Sequence, residues 1–448
     1  VITASALSGE AGVPVEQPIA QQSGAEGARS AQVKLLGKIA FASTALFAAQ
    51  LYLAPAQWIP ELDPLHLALV FSLLGIGAIC LRRLLTNQPL QMGWRTAFLA
   101  VYCADAVLSP IWTIEPIATR HGAIEVAKHF LFFLTVVNSV TTPGRIRTAL
   151  LLYAGAATIP GWGTFWNYLH DLVLVEGFRG RWLGVMADPN HDAMALVGAI
   201  PILLFFVVSG KGFLRRVVGL VGVAACFAGV VATHSRGGSV GLAVALVVWA
   251  MMSKRKALAT VAVLFSASAV LLFAPRTFWE RNETIAGYAE DVSVQGRLQA
   301  WQVAFRIAKE RPLVGVGEAA FLEAWTQYAP MDSGVLGGHR FVAHNLFLEV
   351  LGELGLVGLF GMVGFIACAL WSAWRARNGE LGGESRAVFA ALVGYLVCQQ
   401  FSGYSLSWFL YSLCAFATCI DLYSPKSAKK IEQKWAVLGP DLQTAAAP

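Results

Sequence analysis

Residues 345–373 read NLFLEVLGELGLVGLFGMVGFIACALWSA. A helix crosses the hydrocarbon of a bilayer in about 20 mostly apolar residues. This stretch is longer than that, and its only charges, Glu349 and Glu353, lie near its start. It predicts a membrane helix with an amphipathic beginning. Working outward, the same criterion picks out 36–54, 65–81, 96–112, 122–139, 147–166, 191–209, 216–233, 238–253, 257–274, 386–402 and 405–423. The expected fold is therefore all-α and polytopic, with about twelve transmembrane helices. The chain of 448 residues is 56% hydrophobic and 13% charged, with a mean hydropathy of +0.60. A soluble chain carries about a quarter charged residues, so a water-soluble enzyme and a disordered scaffold are both excluded. A nucleic-acid partner is excluded too, because the net charge of +6 is spread in short clusters between apolar runs and not gathered on one polar surface. The seven cysteines lie inside apolar runs with no Cys-x-x-Cys pair. Neither a disulfide framework nor a zinc site is expected.

The positive-inside rule sets the orientation. With the N-terminus in the cytoplasm, every inner segment is basic: Lys34 and Lys38; Arg82, Arg83 and Arg95; Arg145 and Arg147; Lys211, Arg215 and Arg216; Lys254 to Lys256; Arg375, Arg377 and Arg386; and Lys426 to Lys434. Losing or gaining one span would put basic loops on the wrong side. The expected organisation is a flexible cytoplasmic tail at 1–34, spans one to nine within 35–274, a large outer loop at 275–343, spans ten to twelve within 344–423, and a second tail at 424–448. Within the loop, Leu298, Trp301, Phe305 and Ala308 recur at helical spacing. They predict a helix over Arg297–Glu310 with one apolar face, lying along the membrane or capping the bundle. Inside the spans, Asp105 and Lys128 are expected to pair and hold spans three and four together.

The outer segments nevertheless carry arginines: Arg179, Arg181, Arg236, Arg276, Arg281, Arg297, Arg306, Arg311 and Arg340. Arginine presents a rigid fork that grips phosphate oxygens in pairs. Five of these, Arg179, Arg181, Arg236, Arg297 and Arg340, sit in or beside compact motifs, while headgroup contact or loop ion pairing accounts for the rest. The first motif is Arg179-Gly-Arg181, then Asp188-Pro189-Asn190-His191, which also reads simply as a helix start. The second is His234-Ser235-Arg236-Gly237-Gly238, a tight turn between spans. The third is His344-Asn345, with His339 and Arg340 just before it. His339 and His344 lack an accompanying carboxylate or cysteine cluster, so no metal is expected. Spans six, eight and ten all start on the outer side, near 190, 237 and 345. Helix N-termini favour anions, so the residues point to an anionic, pyrophosphate-bearing ligand, with His344 the catalytic candidate beside it. Asn190, Asn345, His234 and His339 are supporting candidates.

Ser235-Arg236-Gly237-Gly238, Gly296-Arg297 with Trp301, Pro312 with Gly315 and Gly317, and His344-Asn345 followed by Gly355 and Gly358 resemble the bacterial O-antigen ligase and polymerase superfamily. The resemblance covers about 180–360, and the His-Asn, nine-residue gap, Gly-x-x-Gly pattern resembles the ligase signature. It implies a GT-C-like fold in the bacterial inner membrane. It also implies a metal- and cofactor-independent inverting glycosyltransferase facing the periplasm. Its donor would be an undecaprenyl-pyrophosphate-linked glycan and its acceptor lipid A–core. By motif, Arg236, Arg297 and His344 correspond to the family's essential arginines and histidine, with His344 as general base. A polymerase or a protein O-oligosaccharyltransferase would share donor and chemistry. A lipid-linked oligosaccharide transporter is a reading of another class.

Overall fold

A computed structural model of the protein describes residues 19–209, 212–257, 292–329 and 340–423, with scattered positions between 260 and 279. Among them the chain is all-helical. The helices are α1 (Ile19–Leu53), α2 (Leu67–Thr86), α3 (Trp94–Leu108), α4 (Pro116–Ser139), α5 (Pro143–Ala156), α6 (Thr158–Leu169), α7 (Pro189–Ser209), α8 (Phe213–Ala232) and α9 (Arg236–Met252). They continue with α10 (Val292–Glu310), a single turn α11 (Trp325–Tyr328), α12 (Leu346–Ala376), α13 (Gly382–Gln399) and α14 (Trp408–Leu422). Five described helices are long and apolar enough to cross a membrane, at 28–53, 60–86, 189–209, 213–232 and 346–376, and α9 and α14 are shorter apolar helices. The expected span at 257–274 falls largely outside the described residues. The architecture is that of a multi-pass membrane protein with several apolar helices.

Burial sorts these helices into an inner and an outer set. α7 is buried on all sides over most of its length, and Trp408 to Asp421 of α14 are buried without a break. A helix that is apolar all round belongs in the middle of a bundle. α2 and α8 instead turn large side chains outward: Leu73 is 61% and Leu220 63% exposed. An apolar surface of that kind calls for lipid against it. At the end of the bundle away from Gly238 and Asn345, three helices are tied by charge. Asp421 of α14 accepts from Arg375 of α12, with Nη2 to Oδ2 at 2.6 Å, and also pairs with Arg95 of α3, whose Nε donates to Ser372 at 2.6 Å. Arg147 of α5 meets Glu384 of α13 at 2.7 Å.

Several elements differ from the sequence expectation. α1 begins at Ile19, upstream of residue 35; its lead carries four alanines and three glutamines, which favour helix. The fifth stretch is two helices that meet at Ala157, where Pro160 supplies no amide for the Ala156 carbonyl. Asp105 does not pair with Lys128. Lys128 donates to Glu125 at 2.6 Å, one turn away on its own helix, whereas Asp105 lies against Gly358 of α12. α10 spans Val292–Glu310 and has two apolar faces. Ala300, Val303, Ala304 and Ile307 are buried in a small core with Val316, Phe321 and Trp325, while Leu298 and Phe305 of the expected stripe point outward at 38% and 58% exposure. The small residues of the packed face carry too little hydrophobicity to stand out in a periodicity reading.

The largest departure lies in α12. At Gly355 the backbone leaves the helix (φ 61°, ψ −156°), and the strap 312–317 enters the gap. Val316 and Gly317 donate to the carbonyls of Gly352 and Glu353 at 3.0 and 2.8 Å, and Leu356 and Val357 donate back to Pro312 and Leu313 at 2.8 and 3.3 Å. Four backbone groups beside the break are thereby satisfied, as apolar surroundings require. A Cβ on Gly355 would come within 2.4 Å of the Leu313 carbonyl carbon, and one on Gly315 (φ 59°) within 2.4 Å of two α12 carbonyl oxygens. Gly355→Ala adds left-handed strain to overpacking and is expected to cost on the order of 3 kcal/mol. Thermal unfolding of the purified protein in detergent checks it, and a melting temperature equal to that of the wild type would mean the strap tolerates a side chain there.

Candidate active site

Three helix starts meet at one end of the bundle. Each owes its position to its own cap. The Asp188 carboxylate accepts from the amides of Asn190 and His191 at 2.7 and 3.3 Å and opens α7. Ser235 Oγ accepts from Gly238 N at 3.1 Å and opens α9. Asn345 Oδ1 accepts from Phe347 N and Leu348 N at 3.0 and 3.2 Å and opens α12. α9 and α7 start close together because a Cβ on Gly238 would lie 2.6 Å from Ala193. Between these starts lies a cavity of about 200 Å3 whose lining includes Glu176, Arg179, Asp188, Asn190, Ser235, Arg236, Arg297, His344 and Ser402.

The caps change the expected electrostatics. The amides named above are already engaged by the helices' own side chains, so recognition of an anion falls more on arginine than on bare amides. Arg236 is the first residue of α9, and Arg297 reaches in from the start of α10. Arg179 is buried and acts as a strut. Its Nε donates to Thr233 O at 3.1 Å, its Nη2 to Asn190 Oδ1 at 2.8 Å, and its Nη1 meets Glu176 at 3.4 Å. Asn190 Oδ1 also accepts from Ser235 Oγ at 2.9 Å, which locks α7 to the turn before α9. Burial alone would raise the Asp188 pKa. His191, the two capping amides and Arg179 outweigh it and hold the carboxyl below its ordinary value. Asp188 is thus charged at neutral pH and repels phosphate from its own side, leaving the side of Arg236 and Arg297 for an anion.

His344 immediately precedes the α12 cap in a left-handed conformation (φ 48°) that few residues without glycine's freedom adopt. The Trp301 indole, one turn beyond Arg297 on α10, donates to Ala343 O at 3.0 Å and pins the chain there. Burial, then the field of Arg297, push the His344 pKa down to about 4. The imidazole is therefore neutral at physiological pH and able to take a proton.

Other sequence candidates are placed elsewhere. Arg181 donates to the carbonyls of Val173 and Ala187 at 3.2 and 3.0 Å and does not line the cavity. Arg340 pairs with Glu323 on the surface, also outside the lining. His234 is buried between Tyr168 and Phe178, with Nδ1 3.0 Å from Ala232 O. Asn345 is the α12 cap, and its Nδ2 donates to Gln400 Oε1 at 3.1 Å. His339 lies outside the described residues. The sequence reading did not nominate Glu176, Asp188 and Ser402 for the cavity. Asp188 was visible only as a helix cap, and the other two sit in no motif. Among the described residues, no group of three or more His, Cys, Asp or Glu is placed to hold a metal ion.

At one end of this all-helical, apolar bundle, then, a single cavity is lined by Arg179, Arg236 and Arg297 and by the neutral imidazole of His344. Residues 221–363 match the model of the Wzy_C family, described as O-Antigen ligase. That stretch, less than half of the chain, is thus similar to the O-antigen ligase family. The matched stretch contains Arg236, Arg297, His344 and the strap glycines, but not Arg179, Asp188 or Asn190. No curated protein matches the chain.

Proposed function

We propose that this protein is an O-antigen ligase, moving a glycan from undecaprenyl pyrophosphate to lipid A–core on the periplasmic face of the bacterial inner membrane. In this reading it is a twelve-span GT-C-like enzyme. The observation that carries the reading is the meeting of Arg236, Arg297 and His344 on one cavity at three helix starts. The neutral His344 imidazole takes the proton of an acceptor hydroxyl. The hydroxyl oxygen bonds to the anomeric carbon as the bond from that carbon to the phosphate oxygen breaks. The lipid pyrophosphate departs with the electron pair, and the anomeric centre inverts. Arg236 and Arg297 meet the charge that grows on the leaving group, while Arg179, Asn190 and Asp188 hold the helix starts in register. The break in α12 supports an enzyme over a transporter, because the strap fills it, whereas transporter breaks present free backbone to a substrate at the midplane.

The test offers purified protein a lipid-linked glycan with lipid A–core, a second lipid-linked repeat, or a pilin-like peptide as separate acceptors. Transfer to lipid A–core is expected. Transfer only to the repeat would make the protein a polymerase, transfer only to the peptide a protein glycosyltransferase, and transport in liposomes without transfer a transporter.

The low pKa of His344 predicts a pH profile. A base is lost when it is protonated, so activity should be level through neutrality and fall as pH drops through about 4 in kcat/KM, which reports the free enzyme. A bound pyrophosphate adds negative charge and raises the pKa, so the acid limb of kcat should lie higher. An acid limb near the ordinary histidine value of about 6.5 in kcat/KM would contradict this environment for His344.

A further inference from the structure

A second concavity, of about 650 Å3, opens between the end of α1, the turns Pro55–Gln57 and Pro60–Leu65, the start of α2, and α4. Its volume is in the range of small-ligand sites. Its lining is mostly apolar, Trp408 included, and the polar groups Gln50, Asp63, His66, Glu125 and Lys128 are set among those side chains. Two residues at its corners, Ala54 and His66, hold left-handed backbone (φ 44° and 45°) without being glycine, a cost that folds tend to retain at functional positions. Glu125 and Lys128 are paired at 2.6 Å on a helix that runs into the apolar core. Charges at such a level usually serve a pathway or a ligand.

This groove is joined to the candidate active site by one segment. Phe401 and Ser402 line the arginine cavity, and Trp408, a few residues on, lines the groove. Between them, Tyr404 stacks on His191 with ring centres 4.7 Å apart. His191 in turn lies within the electrostatic reach of both Asp188 and His344. The two concavities share no lining residue, and the 401–408 segment runs from one to the other.

We propose that this groove binds the acceptor saccharide, its inner sugars resting among Gln50, Asp63, Glu125 and Trp408 while the terminal sugar crosses the 401–408 rim to His344. The proposal rests on the glycosyl-transfer reading above. Charge supports a sugar over a second phosphate. Asp63 and Glu125 outnumber Lys128, so the groove repels anions, whereas carboxylates and amides suit a hydroxyl-rich ligand and an indole suits its C–H face. Stereochemistry supports the placement. An inverting displacement needs the nucleophile opposite the leaving group, and the groove is built on α1, α2, α4 and α14, whereas Arg236 and Arg297 are on α9 and α10.

The test uses the full-length enzyme, lipid-linked donor and lipid A–core, with Asp63→Asn and Glu125→Gln made singly and together. Loss of charge-assisted hydrogen bonds to the sugar should raise acceptor KM about tenfold, with donor KM and the affinity for inorganic pyrophosphate changed far less. The same variants should weaken the binding of lipid-free core oligosaccharide, titrated directly. Transfer with unaltered acceptor KM, or a rise in donor KM instead, would overturn the groove while leaving the ligase reading intact. Absence of transfer by the wild type to any acceptor overturns that reading itself. A rise in KM for lipid A–core with unchanged binding of the lipid-free oligosaccharide would mean that the groove holds lipid, and would also overturn the proposal.

Discussion

His344→Ala is expected to lower turnover by about 10²–10⁴-fold, the usual contribution of a positioned general base, with donor affinity largely retained. The expectation has three physical parts. The ring is neutral at working pH because burial and Arg297 hold its pKa near 4. Its backbone is fixed in a left-handed turn between the Trp301-bound Ala343 and the Asn345 cap, so its approach to a bound sugar is set before substrate arrives. The α12 helix does not depend on the imidazole, because Asn345 supplies the cap. His344→Ala should therefore remain folded, and the loss should fall on kcat. His344→Gln keeps polarity but takes no proton, and should be as inactive. Near-normal transfer by His344→Ala would remove the histidine from the chemistry.

The second large effect belongs to the arginines. Arg236→Ala and Arg297→Ala are each expected to reduce transfer by about 10²–10³-fold, the magnitude found when a donor to a developing negative charge is deleted. Unlike the histidine change, they should also weaken donor binding, because the pyrophosphate is anionic before and after the bond breaks. Lysine restores the charge but not the planar fork, so Arg236→Lys should recover binding better than turnover. Arg297→Ala carries a further signature. Removing that positive charge lets the His344 pKa rise, so the acid limb of any residual activity should move upward. Unchanged donor affinity and turnover in both alanine variants would sink the proposed anion site. Arg181→Ala and Arg340→Ala are expected to act through loop structure, since those guanidinium groups lie outside the cavity lining.

Much of this was legible in the sequence because lipid imposes coarse, additive rules. Apolar length marks helices, basic residues mark inner ends, and a cap such as Asp188 marks a start. Those rules together suggested that three outward-facing starts carry the chemistry, and the structure brings them round one cavity. What stayed hidden depends on partners distant in sequence. Arg179 looked like a phosphate ligand, yet its guanidinium is engaged by Thr233, Asn190 and Glu176. Lys128 and Asp105 looked like mates across two helices, yet a closer carboxylate, one turn away, was available to the lysine. The packed face of α10 is made of small residues that only contact with Phe321 and Trp325 makes meaningful. Gly355 and Gly358 read as a motif and carried no geometry until the strap was seen.

The interlacing of residues 312–317 with the split in α12 has a mechanical consequence. The base and the outer cap are fastened by backbone, so the cap cannot lift away without tearing the helix that presents His344. Any opening that admits a bulky glycan would have to carry both along together. Substrate entry and alignment of the base would then be one movement.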